Sequence, residues 1–190
     1  MQEIEVKILE IDPKKVVAKL KELGAKKVEA GLVHITAFDF PDDRLVKSGS
    51  YLRVRTFGHR TELVLKNPVE RGRFKVMEEI ETIVADYEAT VALFKALGMK
   101  VFARQEKYRA TYKLGSIRFE LDKYPSMPWM MEVEANSEEK VEEGVGLLGF
   151  SMAQTNPKSV VEIFSNYGFT KHFFTFKEKG EKPDYDMIFR

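Results

Sequence analysis

Glu3-Ile4-Glu5-Val6-Lys7, near the start of the 190-residue chain, sets two carboxylates and a lysine at alternate positions with apolar residues between them. Successive side chains of a β-strand point to opposite faces, so this stretch would carry its charges on one face and its apolar side chains on the other. The same carboxylate spacing returns at Glu79-Ile80-Glu81 and at Glu132-Val133-Glu134. The pattern indicates strands with one charged face and one apolar face.

Basic residues follow the same spacing, with Arg53 and Arg55 on one predicted strand and Lys107 and Arg109 on another. The chain has 31 basic and 30 acidic residues and a formal net charge of +1. Such a balance gives no overall field that would favour nucleic acid or a membrane as a partner. Any function based on charge must come from local arrangement, and a face that carries both signs is suited to holding a metal ion and a polyanion together.

Length and composition favour one domain with a substantial core, since 44% of the residues are hydrophobic. The absence of cysteine excludes disulfides, thiolate metal sites and thiol nucleophiles, and it is compatible with a reducing compartment. The chain begins with a charged strand and has no apolar stretch near 18 residues. We therefore expect a cytoplasmic protein without an export signal or a membrane span.

Each acidic pair is followed by a helix signal. Asp12, Asp86 and Ser137 are the predicted N-caps of three helices, and each helix is predicted to end at a Leu-Gly step, the first at Gly24. A fourth short helix is expected after Pro157. Gly144, Gly146 and Gly149 spell a dinucleotide-binding motif, but they fall late in a predicted helix and not between a strand and a helix, so we do not expect a dinucleotide site there.

Between the helices the chain alternates or is rich in strand-forming residues. The predicted strands, in addition to the first, are 32–40, 50–57, 61–66, 73–84, 106–113, 116–123 and 129–135. Short turns such as Gly58-His59 and Leu114-Gly115 favour antiparallel pairing. Because closing a sheet removes its edges, we predict an α+β fold with an antiparallel eight-stranded closed β-barrel and helices packed outside.

The apolar strand faces, such as Ile4/Val6/Ile8 and Met131/Val133, are predicted to lie outside under the helices. The charged faces would then converge in the lumen. They comprise Glu3/Glu5/Lys7, Arg53/Arg55, Glu62/Lys66, Lys75/Glu79/Glu81, Lys107/Arg109, Arg118/Glu120/Asp122 and Glu132/Glu134. An ordinary antiparallel sheet with one solvent-exposed face would show the same alternation of charged and apolar residues on any single strand. Its repetition on nearly every strand favours a charged, functional interior.

Carboxylates without cysteine or suitably spaced histidine suit a hard cation, Mg²⁺ or Mn²⁺. Such ions, together with several arginines and lysines, serve phosphoryl and nucleotidyl transfer. The expected ligand is therefore a short polyphosphate. A Walker-type phosphate loop is absent from the sequence, so a different phosphate site is required.

The opening E-x-E-x-K pattern resembles the signature of the CYTH superfamily of triphosphate tunnel enzymes, which includes class IV adenylyl cyclases and thiamine triphosphatases. The similarity continues in order along residues 1–167 and is closest to the cyclase-like branch. Its further segments are Leu52-Arg53-Val54-Arg55, Leu65-Lys66-Asn67-Pro68, Glu79-Ile80-Glu81, Lys107-Tyr108-Arg109-Ala110-Thr111-Tyr112, Leu121-Asp122, Glu132-Val133-Glu134 and Pro157-Lys158-Ser159.

The resemblance implies a barrel whose tunnel binds a triphosphate. The implied metal ligands are Glu3, Glu5, Glu132 and Glu134, with Asp122, Glu79 and Glu81 nearby. The implied phosphate-binding residues are Lys7, Arg53, Arg55, Lys66, Lys107, Arg109 and Lys158, and the face assignment adds Lys75 and Arg118. Of these, the predicted catalytic residues are Glu3, Glu5, Lys7, Arg53, Arg55, Lys66, Lys107 and Arg109.

Four positions depart from the family pattern: Met77 in place of Arg, His34 and Thr36 in place of Gln and Asp, and Val160 in place of Tyr. Each is expected to affect substrate choice or catalysis. Residues 168–190 extend beyond the resemblance. Their expected role is to pack on the barrel, cover a tunnel mouth or mediate dimerisation.

The resemblance leaves three functions open. A class IV adenylyl cyclase would convert ATP to cyclic AMP and pyrophosphate. A triphosphatase would hydrolyse thiamine triphosphate, a nucleoside triphosphate or inorganic tripolyphosphate, and a non-catalytic module would bind a polyphosphate or nucleotide. The expected partner is a small-molecule triphosphate, without nucleic acid or membrane, and a homodimer is left open. Glu5→Gln and Glu134→Gln are both expected to preserve or raise heat stability, since each would relieve repulsion between carboxylates.

Overall fold

The computed structural model describes residues 2–71, 73–169, 173–181, 185 and 189. Eight long strands form the main sheet, and two strands of two residues each pair with two of the long ones. The bounds are β1 Gln2–Ile8, β2 Lys26–Asp39, β3 Tyr51–Phe57, β4 Arg60–Arg71, β5 Lys75–Val84, β6 Lys100–Leu114, β7 Ile117–Lys123, β8 Trp129–Ala135, β9 Thr155–Asn156 and β10 Phe173–Phe174.

The eight long strands form a closed antiparallel barrel. Their order is β6-β2-β3-β4-β5-β1-β8-β7, and β7 pairs with β6 to complete the ring. The β3–β4 turn lies at the predicted positions 58–59, and the β6–β7 turn lies at 115–116, one residue later than predicted. The predicted barrel is therefore confirmed, and closure leaves no long sheet edge exposed.

The described helices are α1 Pro13–Glu22, α2 Arg44–Ser48, α3 Tyr87–Ala96, α4 Glu138–Leu147 and α5 Val160–Asn166. The three predicted N-caps are confirmed, because the side chains of Asp12, Asp86 and Ser137 each accept a hydrogen bond from a first-turn backbone N–H. The sequence did not indicate α2, which is held where the Asp39 carboxylate accepts bonds from the N–H groups of Leu45 and Val46. None of the helices found in the described part of the chain is both long and apolar enough to cross a membrane.

Helices cover most of the outer barrel wall. Val17 and Leu20 of α1 and Val141 of α4 pack in one cluster with Val6 and Val133. A second cluster lies beneath α3. The outer face of β4–β5 is less covered, since Ile80 is 62% exposed. The expected apolar exterior under helices is thus found on most of the wall but not there.

The glycine motif in α4 has a packing role. A Cβ atom on Gly144 would lie 2.8 Å from Ile117 and 2.9 Å from Val133, so only glycine lets this helix approach the sheet so closely. Gly149 follows the helix with a φ of +81°, the left-handed conformation of a helix C-terminus. Both glycines therefore serve the fold.

The C-terminal segment packs against the outer wall. Phe176 and Phe189 are buried, and the ring of Phe189 stacks on Tyr108 at 5.6 Å between centroids. β10 runs parallel to β6, with Phe174 beside Gln105. Of the three expected roles for residues 168–190, packing on the barrel is the one found for the described residues of this segment.

Candidate functional site

A cavity of about 810 Å³ runs through the barrel, and the predicted charged faces line it. Every predicted phosphate-binding residue borders this cavity: Lys7, Arg53, Arg55, Lys66, Lys75, Lys107, Arg109, Arg118 and Lys158. The strands place them there because inward and outward side chains alternate along each strand. One enclosed space therefore collects cations from β1, β3, β4, β5, β6 and β7.

Arg109 is the most heavily bonded cation of the lumen. Its Nε donates to Asp122 Oδ1 at 2.7 Å, and its Nη2 donates to Asp122 Oδ2 at 2.5 Å and to Glu132 Oε2 at 2.6 Å. Glu120 binds Nη1. Burial would lower the pKa of Arg109, but the three surrounding carboxylates raise it well above its usual value. This guanidinium is a fixed positive charge.

Lys107 lies two residues before Arg109 on the same face of β6. Its Nζ donates to Asp122 Oδ2 at 2.8 Å. Burial, followed by the positive charge of Arg109, lowers the pKa of Lys107 to about 8. An anion bound beside this amine would favour its protonated form.

Glu5 and Lys7 of β1 are at the centre of a second group of paired charges in the lumen. Lys7 Nζ lies 2.6 Å from Glu5 Oε1 and 3.4 Å from Glu132 Oε1, and Lys75 Nζ lies 2.7 Å from Glu5 Oε1. Burial would raise the pKa of Glu5, but Lys7 and Lys75 together lower it below its usual value. The expectation that removing the Glu5 charge would relieve repulsion is therefore wrong in the free protein, because this carboxylate is matched by two lysines.

Two further ion pairs cross between neighbouring strands. Arg55 Nε donates to Glu62 Oε2 at 2.5 Å, and Lys66 pairs with Glu79. Arg53 borders the same cavity from the strand that carries Arg55. Carboxylates hold Arg55 and Lys66 in the free protein, so an anion that binds these two cations must compete with internal partners.

The ion pair of Glu134 is longer than those of Glu5. Glu134 stands opposite Glu5 on the adjacent strand, and its nearest basic group, Arg118 Nε, is 3.9 Å from Oε2. Burial and the neighbouring Glu120 raise the pKa of Glu134 to about 7. Glu134 is therefore a partly buried carboxyl beside another carboxylate, and Arg118 and Lys66 only partly offset the rise in its pKa.

The predicted metal ligands fall into three groups. Glu5, Glu79, Glu81, Glu132 and Glu134 border the cavity. Asp122 is fully buried behind Lys107 and Arg109, and both of its oxygens are engaged by those cations. The side chain of Glu3 lies outside the described part of the structure, although its backbone pairs with Met77.

The donor chemistry fits a hard divalent cation, because carboxylate groups of Glu5, Glu132 and Glu134 border one cavity. A preformed cluster is not seen: within the described residues, no three acidic or histidine side chains stand close enough to hold a metal. The metal site therefore stays a prediction, and ion pairs of the lysines would have to open to form it.

The four departures from the family pattern lie in different places. Thr36 is outside the barrel, where its hydroxyl bonds to Tyr87 of α3 at 2.7 Å, and His34 is outside with Nδ1 3.2 Å from Glu106. Met77 and Val160 border the cavity. The substitutions at positions 34 and 36 therefore do not alter the lumen, whereas those at 77 and 160 do.

Uncharged residues also border the cavity, and the sequence patterns did not select them. They include Ile35, Tyr51, Phe57, Phe102, Gln105 and Tyr124. Gln105 precedes the predicted start of its strand at residue 106, whereas β6 begins at Lys100. The parity of Lys107 and Arg109, extended two residues backwards, is the signal that would have found it.

The chain is similar to known proteins over most of its length. The CYTH domain family model matches residues 1–160. A curated protein of Methanocaldococcus jannaschii, named "Putative adenylate cyclase MJ0240", is 30% identical over 134 residues, which is 70% of this chain and 77% of the relative.

Two solved structures show the same fold. The PH1012 protein from Pyrococcus horikoshii OT3 is 27% identical with a TM-score of 0.73, over 84% of this chain and 98% of that one. The Hippeastrum protein HpAC1, named among the adenylyl cyclases and described as having a dominant triphosphatase activity, is 17% identical with a TM-score of 0.63, over 87% of this chain and 96% of that one. The family model match and the Methanocaldococcus relative place the chain in the CYTH domain family.

Proposed function

We propose that the chain is a divalent-metal-dependent enzyme that acts on an organic triphosphate bound in the barrel lumen, and that its reaction is the conversion of ATP to cyclic AMP and pyrophosphate. The observation that carries this proposal is the set of basic side chains, from Lys7 to Lys158, that border one cavity. A triphosphate is the small ligand whose several negative charges match such a set.

Different cations of the lumen would bind different phosphoryl groups. Arg109 is always charged and is oriented by Asp122, so it can hold one phosphoryl group in a fixed direction. Arg53 and Arg55, on β3 two strands away from Arg109, can bind a neighbouring phosphoryl group. Held this way, the chain of phosphates would be stretched along the tunnel, and charge developing on the leaving group would be stabilised by groups that are already in place.

The acidic residues Glu5, Glu132 and Glu134, together with Glu3, would hold Mg²⁺ or Mn²⁺. A bound divalent ion supplies a Lewis acid that neutralises phosphate oxygens during transfer. The direct opposition of Glu5 and Glu134 on neighbouring strands, both bordering the cavity, supports this assignment, because a cation between them would offset their mutual repulsion.

Hydrolysis is the second candidate reaction. The same cations and metal ligands would serve attack by water on the terminal phosphorus, which releases orthophosphate. HpAC1, which shares the fold, is described as having a dominant triphosphatase activity. The names of the relatives thus support both reactions.

The test is product analysis by phosphorus NMR. Purified protein is incubated separately with ATP, thiamine triphosphate and inorganic tripolyphosphate, each with Mg²⁺ or Mn²⁺. Cyclic AMP with pyrophosphate is the expected result, and orthophosphate would replace the cyclase by a triphosphatase. Tight binding of all three compounds without any product would overturn the enzyme proposal and leave a binding module, for which Met77 in the lumen would be the first residue to examine.

A further inference from the structure

One oxygen of Glu181 holds the turn between β7 and β8, residues 124–128. Glu181 Oε1 accepts a hydrogen bond of 2.6 Å from the backbone N–H of Ser126 and one of 2.8 Å from its hydroxyl. Ser126 has a φ of 59°, a left-handed conformation that residues other than glycine seldom adopt. A contact from a segment 55 residues away in sequence therefore stabilises an uncommon backbone conformation in this turn.

The segment that carries Glu181 is fixed to the barrel independently of this turn. Phe176 is 2% exposed, and its backbone N–H donates to Glu106 Oε2 at 2.8 Å. β10, just before it, pairs with β6 at positions 104–105. β7 pairs with the same edge of β6 only from Tyr108 onwards, since β2 occupies the other edge. β10 therefore continues this edge where β7 ends, and the chain after it reaches the β7–β8 turn.

The β7–β8 turn places Tyr124 in the wall of the cavity. Tyr124 follows β7 directly, is 2% exposed and borders the cavity. Its ring lies 5.3 Å from Lys107 Nζ, within the range of a cation–π interaction, and packs edge-on against Phe164 of α5 at 5.0 Å between centroids. The conformation of the turn therefore decides where this ring lies, and the ring restricts the amine of Lys107.

The contact between Glu181 and Ser126 is not part of the family match. That match ends at residue 160, and the segment that carries Glu181 follows this limit. Glu181 does not border the cavity itself, so any effect it has on a ligand must pass through the turn.

We propose that Glu181 is a positioning residue for triphosphate binding: through Ser126 it fixes the β7–β8 turn, so that the ring of Tyr124 holds Lys107 in place to bind a phosphoryl group. A group that is already in place binds its ligand more tightly than one that the ligand must first order. This inference rests on the proposed function and adds a residue that acts on the same site from outside the lumen.

The first test is calorimetric titration of the wild type, Glu181→Ala and Glu181→Gln with a non-hydrolysable ATP analogue in Mg²⁺. Glu181→Ala should weaken binding about fivefold, because the turn is no longer held and the ligand must order it. Glu181→Gln should change the affinity by less than about twofold, since its amide oxygen can still accept both bonds from Ser126. Glu181 is partly exposed, so both variants are expected to fold.

Glu178→Ala is the matched control. Glu178 lies in the same segment, and its Oε2 accepts a hydrogen bond of 3.0 Å from the backbone N–H of Thr175. This bond lies within the segment, so its loss tests whether loosening the segment is enough to weaken binding. The affinity of Glu178→Ala should stay within about twofold of the wild-type value.

A double-mutant cycle tests whether Glu181 acts through Tyr124. Tyr124→Leu should weaken binding by itself, since it removes the ring beside Lys107. In this background Glu181→Ala should change the affinity by less than about twofold, because residues that act through one contact are not additive. A merely structural Glu181 would lower the melting temperature equally in both backgrounds and leave the affinity unchanged. The comparison of Glu181→Ala with Glu181→Gln decides the proposal even if Tyr124→Leu does not fold.

The outcomes separate the two proposals. Unchanged affinity in Glu181→Ala, an equal loss in Glu181→Gln, or the same loss in the Tyr124→Leu background would each overturn the positioning role while leaving a triphosphate tunnel in place. Failure of the wild type to bind the analogue would overturn the proposed function itself, and the positioning role with it.

Discussion

Glu5 and Glu134 stand directly opposite each other on β1 and β8, and both face the cavity. Two lysines lower the pKa of Glu5, whereas burial and Glu120 raise that of Glu134 to about 7. Like charges directly opposite on neighbouring strands are unfavourable unless a cation is placed between them. In the free protein, lysines neutralise the charge of Glu5, whereas Glu134 changes its protonation state near neutral pH.

Glu134→Gln is expected to stabilise the free protein at high pH. A carboxyl whose folded-state pKa is raised contributes stability at pH values below its ordinary value of 4.5, and that contribution is lost as the pH rises through about 7. The variant removes this loss, so its melting temperature should exceed that of the wild type by several degrees at pH 8 and by much less at pH 5. Glu78→Gln, on the exposed outer face of β5, is the control and should show no such pH dependence. A gain that is the same at both pH values would contradict the assignment.

Glu5→Gln is expected to act in the opposite direction. A carboxyl with a lowered pKa contributes stability above its ordinary value, and that stability is fully present at neutral pH. Removing its charge leaves Lys7 buried without its closest partner, at 2.6 Å. We expect the melting temperature at pH 7 to fall by several degrees, measured by circular dichroism. A rise comparable to that of Glu134→Gln would mean that carboxylate repulsion dominates on both strands.

Asp122→Asn is expected to be strongly destabilising, although Asp122 does not border the cavity. Its carboxylate holds both Lys107 and Arg109, and breaking a buried ion pair costs about 3–5 kcal/mol. For a chain of this length that corresponds to a loss of roughly 6–20 °C in melting temperature. Asp42→Asn, which removes the partner of Arg44 in an exposed pair, is the control and should have little effect. Similar small losses in both variants would show that Asp122 does not fix the cations.

Metal and triphosphate are expected to bind cooperatively. A triphosphate that takes the lumen cations releases their carboxylate partners, as at Arg55–Glu62 and Lys66–Glu79, and a divalent ion compensates the released charge. The dissociation constant of a non-hydrolysable ATP analogue should be at least about tenfold lower with Mg²⁺ than with EDTA. Because Mg²⁺ also binds the nucleotide itself, Glu134→Gln serves as the comparison and should reduce the ratio. An unchanged ratio in this variant would remove Glu134 from the coupling.

The C-terminal segment is expected to be needed for stability. Trp129, the single tryptophan of the chain, contacts Tyr185 and Phe189 with ring centroids 5.2 and 5.6 Å away. Truncation after Gly168 would expose this cluster, which should shift the tryptophan emission to longer wavelength and lower the melting temperature. Unchanged emission would show that these contacts do not protect Trp129.

The alternation of charged and apolar residues was sufficient to predict the barrel and its charged lumen. The predicted strand 129–135 coincides with β8, because the alternation runs through its whole length. The beginnings of β2 and β6 were missed: residues 26–31 alternate poorly and are ordered by pairing with the second half of β6. Pairing with β6 therefore forms a strand where the local sequence does not indicate one.

The charged faces predicted which residues enter the lumen but not how they pair. Asp122 was expected to hold a metal, and in the free protein it binds two cations instead. Glu5 was expected to suffer repulsion, and Lys75 from the neighbouring strand neutralises it. The Glu5–Lys75 pair depends on the pairing of β1 with β5, which are distant in sequence, whereas Asp122 pairs with its cations across the β6–β7 hairpin. Gln105 was missed because it precedes the predicted start of its strand at residue 106.

The most direct test of the account is calorimetric titration of the wild type, Arg55→Ala and Arg44→Ala with a non-hydrolysable ATP analogue and with AMP, in Mg²⁺. Arg55 faces the lumen, whereas Arg44 lies on the outer surface over Phe40. The account predicts one site per chain, at least about tenfold weaker triphosphate binding in Arg55→Ala with a smaller effect on AMP, and no change in Arg44→Ala. Triphosphate binding that is equal in all three proteins, or absent from the wild type, would contradict the claim that the charged lumen is the binding site.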